Sequence, residues 1–309
     1  MNKMMQLTPF PIDFVWTFCS PKSDRRKKAF KVHSNELFTL NPLADDIKYS
    51  LRSAHMFASW YRHIYIVIAD DDEMPQYFRR KMPDVTIVKH SEIIPSQFLP
   101  TFNPNVIESY LHKIPRLSEH FVYWNDDTYI CKKTSWKHFF TSSGMLINRH
   151  YPGVSKHSLN NNPILFVKMM QHAITNYNMD FTRYQHQVYP YKKSIIEEYE
   201  QRFSKELKKA SFHRFRNPTD FNLLRFSGCF ASTEKKAKVI FTDDTYDLFL
   251  ESGDVDKINA LRNSKKPRFL CINNTSSENK HVYAKFDELF KQQAPFEKKH
   301  VSFKEGQLV

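Results

Sequence analysis

Four short apolar runs, separated by stretches of helical periodicity, constrain this chain more than any other feature. Ile12 to Phe18 (IDFVWTF), His63 to Ala69 (HIYIVIA), Val85 to Val88 and Phe121 to Trp124 (FVYW) are the length of strands and apolar on both faces. Strands buried on both faces belong to mostly parallel sheets covered by helices. Between the runs, Asp45 to Phe57 reads as a helix with Ile47, Leu51 and Ala54 on one face. Pro104 to His112 reads as another, with Val106, Ile107, Tyr110 and Leu111 apolar. The segment SDRRKKAFK after the first run is expected to be a basic loop, and Asp70-Asp71-Asp72 after the second a solvated acidic turn. The expected class is α/β.

Beyond residue 135 the texture changes to helices and loops. Asn162 to Tyr177, Ser194 to Lys209 and Thr219 to Phe230 are helix candidates. The second has Ser194 and Glu197 spaced as a capping box and a stripe of Ile195, Tyr199, Phe203 and Leu207. Strand character returns at Val239-Ile240-Phe241 and Arg268 to Ile272. The expected organisation is a single unit over 1–309. Its α/β core covers about 10–135 and 236–275, a helical insertion about 136–235, and a tail 276–309, the sheet being completed late in the chain.

Composition removes several alternatives. With 5 glycines against 27 Phe and 15 Tyr, and no G-x-G-x-x-G or G-x-x-x-x-G-K-[ST], neither a dinucleotide fingerprint nor a P-loop is present. Cys19, Cys131, Cys229 and Cys271 are far apart, as free thiols in a reducing compartment would be. No apolar run approaches the roughly 20 residues that span a bilayer, and the first residues lack a signal-peptide core, so a cytoplasmic protein is expected, peripheral if it meets a membrane. The net charge of +13 favours anionic partners without choosing among them.

Ligands of open parallel sheets gather at the carboxyl ends of strands, and the fourth run leads straight into Asn125-Asp126-Asp127. Paired carboxylates there suit Mg²⁺ or Mn²⁺ beside phosphates, although an acidic turn capping a strand has the same sequence. His186, one of 14 histidines, stands in YQHQVYPY, where it can take a proton from an attacking hydroxyl or attack phosphorus. Arg216 in SFHRFRNP and Arg52 on the first helix are of the type that clamps a pyrophosphate. Glu108 is read as a supporting carboxylate or a solvated one.

Four separated blocks resemble the characteristic regions of the Stealth family of sugar-phosphate transferases: IDFVWTF; the long run Asp46 to Tyr129 with IYIVIAD, LPTFNPNVIESYLHKIP and FVYWNDD; HQVYPYKKSIIEEYEQRF with FHRFRNPTDF; and RFLCINN. The resemblance implies a Rossmann-like, glycosyltransferase-A-like mostly parallel sheet with a helical insertion. It implies transfer of a sugar 1-phosphate from a UDP-sugar to a carbohydrate hydroxyl, releasing UMP, in capsule or surface polysaccharide synthesis. Catalytic roles pass to His186, Asp127, Arg216 and Glu108. Substrate binding passes to Asp13, Thr17, Arg52, Asn125 and Asn273, and a metal, Mg²⁺ or Mn²⁺, to Asp126, Asp127 and Asn274. The implied partners are a UDP-sugar donor, a polysaccharide acceptor and, peripherally, an anionic membrane or capsule assembly machinery, with no nucleic acid. Two departures stand out. Phe18-Cys19-Ser20-Pro21 replaces the family's glycine turn, and Asn274 replaces a carboxylate. A metal-dependent glycosyltransferase releasing UDP, or a non-catalytic basic protein binding glycan or nucleic acid, are the competing readings.

Overall fold

The computed structural model describes residues 8–20, 23–33, 46–72, 84–150, 188–217, 219–242, 245–250 and 268–274. The apolar runs form the strands expected of them: β1 (Ile12–Thr17), β2 (Ile64–Ile68), β3 (Val85–Lys89) and β4 (His120–Asn125). With β7 (Tyr189–Lys192) they make a five-stranded sheet in the order β3-β2-β1-β4-β7. The first four are parallel, and β7 runs antiparallel to β4. A mixed α/β fold with a mostly parallel central sheet is what a Rossmann-like enzyme requires.

Alternation along β1 divides the core. Phe14 and Trp16 point to one face, where Trp16 stacks on Trp124 at 4.6 Å between ring centroids and its indole N–H donates to Ser50 of helix α2 (Asp46–Phe57) at 2.9 Å. Asp13, Val15 and Thr17 point to the other, which is covered by α4 (Pro104–Ser109) and α7 (Leu223–Thr233). Two buried aromatic faces in contact add about 0.5–1.5 kcal/mol to the area they bury, so the Trp pair fixes β1 beside β4.

Several local expectations are corrected. The basic segment is a helix, α1 (Asp24–His33), started by the Ser23 hydroxyl accepting from the Arg26 amide at 3.2 Å. It was missed because it has no apolar stripe; buried Arg26 and half-buried Phe30 anchor it instead. The acidic turn is not solvated: Asp72 is buried and accepts from the Ser20 amide at 2.8 Å, while Asp71 pairs with Arg26 at 3.1 Å. Ser194 to Lys209 is two helices, α5 (Lys193–Arg202) and α6 (Ser204–Ser211), broken at Phe203. Phe203 leaves helical geometry and packs on Phe221 and Phe230. Ser194 does not cap α5, since its hydroxyl donates to Glu119 at 2.5 Å.

The sheet is also completed differently. Its fifth strand, β7, comes from within the segment expected to be a helical insertion, which also supplies β6 (Leu146–His150). The late strands enter smaller sheets: β8 (Ala237–Phe241) pairs with β6, and β10 (Phe269–Asn274) lies between β5 (Thr128–Ile130) and β9 (Thr245–Leu250). The helix candidate Asn162 to Tyr177 and the tail lie outside the described residues. Among the described residues the remaining α-helix, α3 (His90–Ile93), is a single turn after β3.

Candidate active site

The chain builds β1, β2 and β3 outward in one direction, then returns to place β4 on the other side of β1. Such a reversal opens a crevice at the carboxyl ends of the two central strands, where helices leave in opposite directions. Thr17 and Asn125 are register partners at that point. The Tyr123 hydroxyl ties them together, 2.9 Å from Thr17 Oγ1 and donating to Asn125 Oδ1 at 2.6 Å. Burial, and then the nearby Glu108 charge, push the Tyr123 phenol well above its ordinary value, so it is a neutral donor.

Glu108 projects from α4 and is 2% exposed. Its Oε2 accepts from Arg225 Nε at 2.9 Å and Asn222 Nδ2 at 2.6 Å, and its Oε1 accepts from Arg225 NH2 at 3.2 Å. Burial alone would raise the carboxyl, but the Arg225 guanidinium and the Asn222 amide outweigh it and hold Glu108 below the usual carboxylate range. A carboxylate so saturated is a poor proton acceptor. Its effect is to present Arg225 in a fixed orientation.

Asp126 and Asp127 form the two-residue turn between β4 and β5. Burial pushes the Asp127 carboxyl up to about 6, against hydrogen bonds from Cys271 and Thr128 and the charge of Arg225. Asp126 is close enough to act on the Cys19 thiol, which burial and Asp72 raise to about 12. Arg216 is exposed on the loop after α6, and its charge interacts with Arg225, Glu108, Tyr123 and Asp127. Two arginines and two carboxylates thus converge on one strand end.

Of the candidate residues, the structure brings Thr17, Glu108, Asn125, Asp127 and Arg216 together. Asp13 is not. It lies four residues, or about 13 Å, back along β1, where Arg62 grips both its oxygens at 2.9 and 2.6 Å and the Ser118 amide donates at 2.7 Å. Arg52 is on α2, the helix on the other face of the sheet. Asn273 and Asn274 are on β10, which pairs Cys271 with Thr128 and runs on towards the Asp126-Asp127 turn. His186 lies outside the described residues; the chain enters β7 with Tyr189 opposite Tyr123. Among the described residues no third Asp, Glu, His or Cys joins the pair to make a metal cluster. Two adjacent half-buried carboxylates, one of them raised, nevertheless suit a hard divalent ion completed by phosphate oxygens and water.

Arg225 and Asn222 were missed from sequence. The available signal was a lone arginine in the otherwise apolar LLRFSGCFA, a placement that requires a buried counter-charge.

The family models cover most of these residues. Stealth protein conserved region 2 matches residues 43–147, which hold Glu108, Tyr123 and Asn125 to Asp127, and conserved region 3 matches 185–225, ending on Arg225. The capsular polysaccharide phosphotransferase fcs1 of Haemophilus influenzae is 32% identical over 92% of this chain and 84% of its own length. The chain belongs to the Stealth family. A capsular polysaccharide phosphotransferase of Aeromonas hydrophila is similar at 29% identity over 87% of this chain and 80% of its own, and an exopolysaccharide phosphotransferase of Streptomyces coelicolor at 32% over 69% and 38%. As a Stealth protein the chain is a phosphotransferase enzyme; the first matched region supplies Glu108, Tyr123 and the Asp126-Asp127 turn, and the second supplies Arg216 and Arg225. No helix among the described residues is long and apolar enough to cross a membrane.

Proposed function

We propose that this phosphotransferase moves a sugar 1-phosphate from a UDP-sugar to a carbohydrate hydroxyl, releasing UMP, in capsule or surface polysaccharide synthesis. The observation that carries the reading is the convergence of Arg216 and Arg225 with Glu108 and Asp127 at the carboxyl ends of β1 and β4. An acceptor oxygen attacks the phosphorus that bears the sugar. The bond from that phosphorus to the bridging oxygen breaks, and the bridging oxygen leaves on UMP. Charge accumulates on the non-bridging and leaving oxygens, where prepositioned guanidinium groups stabilise it without reorganising. Glu108 holds Arg225 for this, and Tyr123 with Asn125 and Thr17 offers polar contacts to the donor. His186 is assigned the acceptor proton, or a transient bond to phosphorus. A magnesium or manganese ion held by Asp126 and Asp127, with the Asn274 carbonyl as a further oxygen, supplies neutralising charge on the diphosphate when bound.

Exposed basic residues on α1 and α6, including Lys28, Lys31, Lys205, Lys208 and Lys209, support contact with an anionic surface or assembly partner. The chemistry is tested by incubating the protein with UDP-sugars, Mg²⁺ and a carbohydrate acceptor and identifying the nucleotide and the new linkage by ³¹P NMR. UMP with a phosphodiester resonance is expected. UDP with no phosphorus in the product would make the protein a glycosyltransferase and overturn the reading.

A further inference from the structure

We propose that Asp220 is the positioning residue that sets Arg216 at the reaction centre. This goes beyond the assignment of Arg216 and rests on the phosphotransfer reading above.

Asp220 is fully buried and accepts from four donors: Asn103 Nδ2 at 2.8 Å, Asn105 Nδ2 at 3.1 Å, the Asn217 amide at 2.9 Å and His213 Nδ1 at 2.7 Å. The Asn103 amide also reaches the carbonyls of His213 and Phe215, each at 3.1 Å. Both chain neighbours of Arg216 are therefore fastened, Phe215 through its carbonyl and Asn217 through its N–H. Phe102 adds a backbone bond to the Arg214 carbonyl at 2.8 Å and stacks on Phe215. A satisfied buried polar network of this kind is rigid.

The anchor of that network is the start of α4. Asn103 caps the helix, its Oδ1 accepting from the Asn105 amide at 3.1 Å, and one turn on, the same helix carries Glu108, which fixes Arg225. The two arginines come from separate segments, yet both are referenced to six residues of one helix. The backbone of an exposed loop would otherwise sample many conformations and carry its arginine with it, and that freedom would have to be lost in the transition state. Asp220 removes it beforehand by holding the backbone on either side. Asp220 also reaches Glu108 indirectly, through Asn105, whose Oδ1 accepts from Asn222 Nδ2 at 3.2 Å; an effect by that route would multiply with the loss of Arg216 in the cycle below.

The test is a double-mutant cycle on turnover of the full chain, well below each variant's melting temperature. Asp220→Ala and Arg216→Ala should each lower kcat by about 10- to 100-fold with a smaller change in donor KM. The double variant should be no slower than Arg216→Ala alone, and Asp220→Asn, which keeps an acceptor for the three amide donors, should recover most of the loss. Multiplying effects in the double variant would overturn the proposal, because Asp220 would then act by another route. If Asp220→Ala does not fold, Asn103→Ala takes its place in the cycle. Amide hydrogen exchange separates this proposal from the reading beneath it. Should the wild-type protein turn over no sugar nucleotide, the phosphotransfer reading fails, while exchange at Asn217 still decides the fastening. Exchange at least tenfold faster in Asp220→Ala, with α5 unaffected, is expected; unchanged exchange overturns the positioning role.

Discussion

The two ends of the β1–β4 pair each bury a carboxylate against an arginine, and they do different things with it. At the amino end Asp13 is closed off by Arg62 and the Ser118 amide, and the same Arg62 Nε and NH2 groups also donate to the Ser118 hydroxyl and the Arg116 carbonyl. At the carboxyl end Glu108 is equally enclosed, but Arg225 faces a second arginine and the raised carboxyl of Asp127. The first arrangement leaves no charge to be answered. The second concentrates charges that a phosphorylated ligand and a cation complete. Burial of an ion pair is therefore no guide to its role; what surrounds the arginine is.

The sharpest way to break this comparison is Asp127→Asn, which should reduce transfer on the order of 10³-fold, a loss typical of removing a group that organises transition-state charge. Steady-state transfer from a UDP-sugar would show it, and full activity would remove Asp127 from the reaction. Next comes stability. Glu108→Gln leaves Arg225, whose side chain is 25% exposed, without its counter-charge and should cost about 3–5 kcal/mol in urea unfolding. Asp13→Asn should cost less, about 1–3 kcal/mol, because the Arg62 side chain is 45% exposed and finds water instead.

A third contrast is in pH. Asp127 titrates near 6 in the folded chain against 3.8 as a free group, so the folded state retains its proton longer than the unfolded state. Stability is then fully present below about pH 4 and declines as pH rises through 6. Asp127→Asn escapes the decline. In metal-free buffer above pH 6 it should be more stable than wild type by up to about 3 kcal/mol, the difference vanishing near pH 4 in thermal melts. The smallest expected effect is that of Thr17→Val, which loses one hydrogen bond to Tyr123 and should weaken donor binding about threefold to tenfold by calorimetry.

The parallel sheet was legible because IDFVWTF, HIYIVIA and FVYW carry their burial in composition, and the Asp126-Asp127 turn because it follows one of them. Helix α1 was not, since Arg26 holds it through Asp71, the Thr101 carbonyl and the Phe102 ring, partners 45 to 76 residues away in the chain. Asp71 and Asp72 read as solvated in the sequence for the same reason. The exchange of roles between Asp13 and Arg225 has a related cause. Motif position placed Asp13 near the donor, but strand direction puts it at the wrong end, and direction matters only once the sheet is assembled. Arg225 became visible through Glu108, more than a hundred residues earlier in the chain.

The most direct test replaces the two arginines alike and measures transfer per folded molecule. Arg225→Lys keeps the charge but loses the two-pronged grip on Glu108, and turnover should fall at least about 100-fold. Arg62→Lys loses the same grip on Asp13 and should stay within about threefold of wild type once the unfolded fraction is subtracted. Equal losses in the two variants, or a larger one at Arg62, would contradict the assignment of the reaction to the carboxyl ends of β1 and β4.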